Sequence, residues 1–347
     1  MSLAKNAYFL AFIATFSIVS LITPLIRRLA IRYDIFDQPN AIHKTHKSPV
    51  PYLGGIAIVI GITLVSYTGI LLANFDTSTV LLASSVLIPA IAMATVGLID
   101  DLKARSPWSR FLVQNVVAFI STCILIKTNT VGSPTGSMII DVCLSVSWIV
   151  GITNAVNFFD NLDGGASTTL LVSSFFLSVL AFYSQQYVIA ALSISISGAL
   201  CGFFIWNRPP ARIYMGDAGA LFLGTLISSL TLRLDTLPIN KLAGFVVPLL
   251  LLALPIIDTS VAVISRVKRG VSPFQGGRDH ISHRLMNLGL SKKQTVAIVA
   301  LITCYFAVIA FIISFSPHHL EIFTSCIGIL SMVIAFVYFI KIKISIV

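Results

Sequence analysis

Residues 7–26 read AYFLAFIATFSIVSLITPLI, twenty residues without a charged side chain. A bilayer core of about 30 Å is crossed by roughly 20 helical residues, so this run is long enough to span a membrane. It ends at Arg27 and Arg28 and contains no A-x-A-like cleavage site, which distinguishes it from a secretory signal peptide. We therefore predict a permanent membrane-spanning helix.

Similar apolar runs recur along the whole chain. They lie at about 53–73, 80–99, 111–127, 138–156, 166–184, 187–206, 218–234, 242–264, 294–315 and 321–340. Only 10% of the 347 residues are charged, whereas soluble domains carry about 25%. Because a span must satisfy its own backbone hydrogen bonds, we predict an all-α integral membrane protein with about 11 transmembrane helices. No linker or repeat divides the sequence, so residues 1–347 are predicted to form a single polytopic domain.

The basic residues predict the orientation. With the N-terminus outside and the C-terminus in the cytoplasm, all but four of the 23 Lys and Arg residues fall on the inner side. The four on the outer side are Lys5, Lys127, Arg233 and Lys241. This asymmetry follows the positive-inside rule. It also explains the net charge of +10, so no nucleic-acid partner is expected.

The acidic residues have an unusual composition. Of 13 acids only Glu321 is not an aspartate, and nine aspartates lie in or beside the inner connections. These are Asp34, Asp37, Asp100, Asp101, Asp160, Asp163, Asp217, Asp258 and Asp279. Short carboxylates at helix ends suit a divalent cation. Capping of helix N-termini is the alternative explanation.

Two inner segments are dominated by acids and amides. GLIDDLKARSPWSR, residues 97–110, carries adjacent Asp100 and Asp101, whose repulsion needs a cation or a shared proton. Metal contact, orientation of a cation and general-base action are all open roles for this pair. NAVNFFDNLDGGAS, residues 154–167, contains no Lys or Arg. Its charge is therefore predicted to be met by a metal-bound or nucleotide ligand, with a simple capped turn as the alternative.

Three further segments combine cations, glycines and aromatic residues. NRPPARIYMGDAGALFLG, residues 207–224, places Asp217 at the start of a span and Tyr214 where its ring could stack on a base. RVKRGVSPFQGGRDHISHRLMNLG, residues 266–289, is predicted to form an anion clamp or, less favourably, a zinc pair. HKTHKSPVPYLGG, residues 43–55, offers lysines to phosphate or to the membrane surface. Carboxylates for a cation together with basic groups for phosphate indicate phosphoryl transfer.

These motifs, in this order from about His43 to Leu285, resemble the polyprenyl-phosphate N-acetylhexosamine-1-phosphate transferases of glycosyltransferase family 4, in particular the WecA/TagO-like branch. The resemblance implies transfer of N-acetylhexosamine-1-phosphate, preferably GlcNAc-1-phosphate, from a UDP-sugar to undecaprenyl phosphate with release of UMP. It implies Mg²⁺ as cofactor, with Mn²⁺ as the alternative ion, and a plasma (inner) membrane location with a cytoplasmic active site. The product would be the first lipid-linked sugar of a cell-surface polysaccharide such as O-antigen. A homodimer is the oligomeric state considered.

The resemblance also assigns roles to particular residues. Catalysis is implied for Asp100, Asp101 and Asp217. Metal binding is implied for Asp217 with Asn157 beside the ion. Nucleotide binding is implied for Asp160, Asn161, Asp163 and Tyr214. Binding of the phosphates and the sugar is implied for Lys47, Arg278, His280, His283 and Arg284.

Two alternative functions remain. Residues 280–284 read HISHR, whereas the resemblance to TagO-like enzymes implies HLHHR, so Ser282 departs from the family pattern at the middle position. The HHHFE-type sequence of the phospho-MurNAc-pentapeptide transferases is absent, which argues against that activity and against a UDP-MurNAc-pentapeptide donor. A transporter would carry ionisable residues deep in its spans. Only Asp141, Arg233 and Asp258 approach that condition, and all three lie near predicted span ends.

Overall fold

The apolar runs form helices throughout the part of the chain that the computed structural model describes, namely residues 5–37, 49–72, 76–103, 105–127, 135–273 and 276–343. The helices are Lys5–Arg32 (α1), Gly54–Leu72 (α2), Thr77–Leu102 (α3), Pro107–Lys127 (α4), Met138–Phe159 (α5), Gly165–Tyr183 (α6), Tyr187–Asn207 (α7), Gly216–Leu232 (α8), Lys241–Leu251 (α9), Ala253–Lys268 (α10), Ile281–Asn287 (α11), Lys292–Phe315 (α12) and His318–Lys341 (α13). The predicted all-α membrane fold is confirmed.

Each predicted span coincides with a helix, but one of them is broken into two helices and another is short for a membrane crossing. Within the described ranges, nine helices are long and apolar enough to cross a membrane, or ten if α9 and α10 form one span. The predicted span at 218–234 is the 17-residue α8, which is shorter than the others. The predicted span at 242–264 is two helices bent by 73°. The number of crossings and the orientation of the termini therefore stay predictions.

The bend between α9 and α10 has a local cause. Pro248 lies inside α9 and Pro255 lies in the first turn of α10. Proline has no backbone N–H and its ring crowds the carbonyl one turn earlier, so two prolines seven residues apart disfavour a continuous helix. The chain therefore breaks at Leu252, between them.

Burial separates the helices into an inner and an outer set. Every residue of 218–231 in α8 is buried, and α6 and α7 are mostly buried as well. In contrast, α1 and α13 expose large apolar side chains, including Leu21 and Phe323. An exposed apolar surface of this extent fits contact with lipid rather than with water. The molecule is a multi-pass membrane protein with α8 at its centre.

Two short strands precede α2, and the residues that follow them are hydrogen-bonded to the segment that enters α8. Strands Phe36–Asp37 (β1) and Val50–Pro51 (β2) pair antiparallel. Beyond β2, the backbone N–H groups of Gly54 and Gly55 donate to the carbonyls of Tyr214 and Met215 at 2.9 and 2.8 Å. These bonds fix the segment that enters α8 against the first turn of α2.

Two glycines allow α2 and α3 to approach α8 closely. A Cβ atom on Gly55 would lie 2.2 Å from the backbone nitrogen of Gly219, and one on Gly97 would lie 2.3 Å from the carbonyl oxygen of Asp217. Neither distance is compatible with a side chain. The contacts hold the N-terminal turn of α8, which carries Asp217, against the C-terminal part of α3, which carries the aspartate pair.

Candidate active site

Four helix ends meet around Asp217, namely the C-terminal ends of α3 and α5 and the N-terminal ends of α4 and α8. One nitrogen of Arg110, Nη1, lies 2.7 Å from Asp100 Oδ2 and 2.7 Å from Asp217 Oδ2. Asn157 Nδ2 donates to the other oxygen of Asp217 at 2.7 Å. Three predicted site residues from three separate motifs are therefore brought together.

Arg110 was not predicted as a site residue. The sequence identified it only as one of many inner positive charges, although it is the last residue of the segment 97–110 that carries the aspartate pair. In the structure it lies in the first turn of α4 and neutralises two carboxylates that would otherwise repel each other. The cation expected beside the aspartates is thus supplied in part by the protein.

Asp101 differs from its neighbour Asp100. Its two carboxylate oxygens accept the backbone N–H groups of Asp217 and Ala218 at 2.9 and 3.0 Å. Gly216 precedes these residues with a φ of +71°, and a Cβ atom there would lie 2.7 Å from Asp101 Oδ2. Asp101 therefore caps α8 and positions Asp217. Of the roles considered for the pair, helix capping fits Asp101, while Asp100 is oriented toward Arg110.

We expect the Asp101→Ala substitution to destabilise the protein by about 1–2 kcal/mol, the cost of a lost helix cap. Asp101→Asn should cost less, because its amide oxygen can still accept one of the two backbone N–H groups. Thermal unfolding of the two variants in the same detergent checks the order. Equal stability of Asp101→Ala and the wild type would contradict the capping role.

The cluster is compatible with a magnesium ion. Asp100 Oδ2 and Asp217 Oδ2 both contact one nitrogen atom, so they lie within twice 2.7 Å of each other. In the described ranges no three acid, histidine or cysteine residues converge into a complete metal cage. Mg²⁺ does not require such a cage, because it commonly binds one or two carboxylates together with water and substrate phosphates. Asp217, Asp100 and the amide of Asn157 are the residues that would hold it.

Part of the negative charge of the loop at 160–163 is neutralised by a residue of the protein rather than by a ligand. Lys292, at the start of α12, places its Nζ atom 3.0 Å from Asp163 Oδ2. The Tyr214 hydroxyl donates to Asp163 Oδ1 at 3.4 Å. The negative charge of Asp163 is therefore met by Lys292 of the protein itself, whereas a ligand for the rest of the loop stays a prediction. No signal in the local sequence could have found Lys292, which is 129 residues away.

Asp160 and Tyr214 have altered proton affinities. Burial, followed by the negative charges of Asp217 and Asp163, raises the pKa of Asp160 to about 7. Burial and the charge of Asp163 also raise the pKa of Tyr214, so its hydroxyl stays protonated and remains a donor. A buried carboxyl group with a pKa near neutrality is characteristic of functional sites. Stacking of Tyr214 on a base stays a prediction.

A hydrogen bond connects the loop at 160–163 with residues 280–284, which we call the histidine segment. The Ser282 hydroxyl donates to Asn161 Oδ1, and Asn161 Nδ2 donates to the carbonyl of Phe158 at 2.8 Å. Ser282 is the position at which the HISHR sequence departs from the family pattern. The residue that the sequence marked as unusual is therefore the one that contacts a predicted nucleotide-binding residue.

His280 does not lie in an open anion clamp. Its Nδ1 atom is 2.7 Å from Asp258 Oδ2, and its Nε2 atom is 3.1 Å from Arg266 Nη2. Asp258 Oδ1 also accepts the backbone N–H of Ile281 at 2.6 Å. Because both ring nitrogens have protein partners, the geometry argues against the prediction that His280 binds sugar or pyrophosphate. It also shows Asp258 in a structural role rather than on an ion path.

Arg284 is likewise a structural residue. Its guanidinium is only 1% exposed. Nε donates to the carbonyl of Asp279 at 2.8 Å, and Nη2 donates to Ser265 Oγ at 2.6 Å. Nη1 donates to three carbonyls at the C-terminal end of α13, those of Phe339, Ile340 and Ile342. The prediction that Arg284 contacts substrate phosphate disagrees with this arrangement, because its donors are already occupied.

Three other residues predicted to bind the phosphates or the sugar remain as predictions. Arg278 is half-buried in the segment before α11. Lys47 lies outside the described residues. His283 is buried within α11, with its ring centroid 6.3 Å from that of His280.

We expect His283 to make the protein less stable in acid. Burial, and then the nearby charges of His280 and Arg278, lowers the pKa of His283 from 6.5 to about 4. The unfolded chain binds the proton more readily, so stability is lost as the pH falls from 6.5 toward 4, by up to about 3 kcal/mol. Above pH 6.5 this residue contributes no pH dependence. The His283→Gln variant should lose less stability than the wild type between pH 7.5 and pH 5 in thermal unfolding; parallel profiles would contradict this.

The sequence model of glycosyl transferase family 4 matches residues 83–235, which include Asp100, Asp101, the segment 154–167 and Asp217. A Bacillus subtilis (strain 168) protein named "Probable undecaprenyl-phosphate N-acetylglucosaminyl 1-phosphate transferase" is 34% identical over 329 residues, which cover 93% of this chain and 89% of that protein. The chain belongs to glycosyl transferase family 4.

Two relatives at lower identity extend this similarity. A decaprenyl-phosphate N-acetylglucosaminephosphotransferase of Mycolicibacterium smegmatis is 28% identical over 80% of this chain and 75% of its own length. A phospho-N-acetylmuramoyl-pentapeptide-transferase of Streptococcus mutans is 27% identical, but over 54% of this chain and 60% of its own length. The resemblance predicted from the motifs is thereby confirmed.

Proposed function

We propose that this chain transfers N-acetylhexosamine-1-phosphate, with GlcNAc as the sugar, from a UDP-sugar to undecaprenyl phosphate. The observation that carries the proposal is the convergence of Asp100, Arg110, Asn157 and Asp217 within hydrogen-bonding distance at the ends of four membrane helices. A charged cluster at the edge of a membrane bundle suits a reaction between a water-soluble nucleotide and a lipid phosphate. The full-length similarity to the Bacillus subtilis protein supports the same acceptor and sugar.

In the proposed reaction, an oxygen of the lipid phosphate forms a bond to the β-phosphorus of the UDP-sugar. The bond from that phosphorus to the oxygen bridging to the α-phosphorus breaks, and UMP leaves with that oxygen. The products are polyprenyl diphosphate N-acetylhexosamine and UMP. The protein contributes mainly by positioning the phosphates and by stabilising the charge of the transition state.

The residues of the cluster take separate roles in this proposal. Asp217, Asp100 and Asn157 would hold Mg²⁺, with Mn²⁺ as an alternative ion, and a bound ion would neutralise negative charge on the pyrophosphate. Arg110 can interact with a phosphate once it is released from one of its two carboxylates. Asp101 keeps Asp217 in place by capping α8. Asp160, Asn161, Asp163 and Tyr214 are proposed to border the nucleotide, with Lys292 holding Asp163.

The site is proposed to face the cytoplasm in the plasma membrane. In the orientation predicted from the sequence, the inner side receives all but four of the 23 Lys and Arg residues, and the cluster would lie on that side. The nucleotide sugar would reach the site from the cytosol and the lipid phosphate would reach it laterally from the bilayer. The product would be the first lipid-linked sugar of a cell-surface polysaccharide, and a homodimer is the oligomeric state we propose to test.

The test uses the full-length protein reconstituted with undecaprenyl phosphate, Mg²⁺ and a panel of UDP-N-acetylsugars. UMP release and the mass of the lipid product are followed together. We expect Mg²⁺-dependent turnover with UDP-GlcNAc. Turnover only with UDP-MurNAc-pentapeptide would favour the muramoyl-type transferase instead, and absence of turnover with every donor in folded protein would overturn the proposed reaction.

A further inference from the structure

A large cavity lies at the end of the helical bundle opposite the candidate active site. Its volume is about 1530 Å³, and it is bordered by α1, α2, the start of α3, α7 and residues 232–235. Asp217 and Arg233 lie at opposite ends of α8 and are separated by 16 residues, or about 24 Å along the helix. The cavity is therefore a separate site and does not border the Asp217 cluster.

The walls of the cavity are mostly apolar. They include Leu10, Ala14 and Ile18 along one side of α1, Leu64 on α2 and Leu192 on α7. Pockets for small water-soluble ligands commonly measure roughly 300–1,000 Å³. An apolar space larger than this, between helices that face lipid, suits a long hydrocarbon chain.

Arg233 supplies a charge that the protein leaves incompletely paired. It lines the cavity and is only 4% exposed. Its Nη1 atom donates to the carbonyl of Leu82 at 3.1 Å and to Ser85 Oγ at 2.8 Å. Its Nη2 atom is buried and has no hydrogen-bond partner among the described residues. A buried guanidinium with a vacant donor is costly unless an anion approaches it.

Two acids border the same cavity at more exposed positions. Asp76 is the N-cap of α3, where its carboxylate accepts the hydroxyl of Ser78 at 2.7 Å, and Asp235 follows Arg233 by two residues. In the described part of the chain neither acid forms an ion pair with Arg233. The cavity thus presents a cation in its interior and two anions nearer to solvent. This order of charges matches a phosphate followed by an ammonium group.

We propose that this cavity binds an aminophospholipid of the phosphatidylethanolamine type from the outer side of the membrane. One acyl chain lies between α1, α2 and α7. The lipid phosphate accepts a hydrogen bond from Nη2 of Arg233, and the ammonium group lies beside Asp76 and Asp235. The bound lipid fills the space between α1 and the rest of the bundle.

The test is native mass spectrometry of the full-length protein titrated with phosphatidylethanolamine or with phosphatidylglycerol of the same acyl chains. Both lipids have a phosphate, but only the first has an ammonium group. We expect the wild type to prefer phosphatidylethanolamine. The Arg233→Gln substitution should weaken binding of both lipids at least about tenfold, the size of a lost charge-assisted hydrogen bond. Asp76→Asn combined with Asp235→Asn should abolish only the preference for phosphatidylethanolamine.

Lys241→Gln is the matched control, because it removes an exposed positive charge from the same side of the protein. It should bind both lipids like the wild type. Ala14→Phe keeps Arg233 but fills the space proposed for the acyl chain of the lipid. It replaces Arg233→Gln as the test variant if Arg233→Gln does not unfold cooperatively like the wild type. Unchanged binding in Arg233→Gln or, where that variant is misfolded, in Ala14→Phe would overturn the proposal. A wild-type preference for phosphatidylglycerol, or displacement of phosphatidylethanolamine by equimolar undecaprenyl phosphate, would also overturn it.

Discussion

Replacement of Asp217 by asparagine is expected to reduce turnover by about 10³-fold or more while leaving the protein folded. Asp217 is the carboxylate that contacts both Arg110 and Asn157. The neutral amide loses the charge that attracts a divalent cation, and metal stabilisation of a phosphoryl transition state contributes several kcal/mol. Initial rates of UMP release at saturating Mg²⁺ measure the loss.

Asp34→Asn provides the control for this experiment. Asp34 is exposed beyond the end of α1 and has a φ of +55°, a conformation that asparagine tolerates well. The control should retain wild-type turnover and thermal stability. If Asp217→Asn kept more than a tenth of the wild-type rate, Asp217 would not be the principal metal ligand.

The second large effect is expected on stability. Arg284→Ala should destabilise the protein by about 3–5 kcal/mol, because the substitution leaves carbonyls of Asp279 and the end of α13 without donors in a buried position. Arg284→Lys should not restore the wild-type stability, since an ammonium group cannot reproduce the fork of donors. The measurement is thermal unfolding in detergent, together with the yield of monodisperse protein.

Lys293→Ala serves as the comparison for Arg284→Ala. Lys293 is an exposed cation at the start of α12, so its removal should change stability by less than about 0.5 kcal/mol. If Arg284→Ala folded with wild-type stability but required far more UDP-sugar for half-maximal rate, the substrate-binding role expected from the sequence would be correct. The structural role described above would then be contradicted.

The fold could be predicted well because hydrophobicity alone determines which segments enter a membrane. Every predicted span coincides with an observed helix. The bend between α9 and α10 was missed, since an average over twenty residues does not register where a helix changes direction. Pro248 and Pro255 were the available signals.

The sequence predicted which residues form the site, but not the contacts that they make. The motifs identified Asp100, Asn157 and Asp217, which the structure brings together. The difference between Asp100 and Asp101 could not be foreseen, because it depends on how α3 faces the start of α8. Lys292 could not be foreseen either, since its contact with Asp163 depends on the packing of helices far apart in the sequence.

The same limit applies to the histidine segment. Arginines and histidines close together in a loop resemble a phosphate site whether their donors are free or occupied. Here Asp258 and Arg266 on α10 occupy both ring nitrogens of His280, and the end of α13 occupies Arg284. The partners lie on other elements, so only the folded structure distinguishes a ligand-binding residue from a structural one.

The bend at Leu252 sets the rotational phase of α10. One residue inserted at this break would turn everything after it by about 100°, since a helix has 3.6 residues per turn. Relative to α5, which precedes the break, Arg266 would then face away from the Phe158 ring, over which its guanidinium carbon lies at 5.7 Å from the ring centroid. An apolar stretch that resembles an ordinary membrane anchor is thus intolerant of changes in length. Its residue count aligns the histidine segment with the loop that carries Asn161.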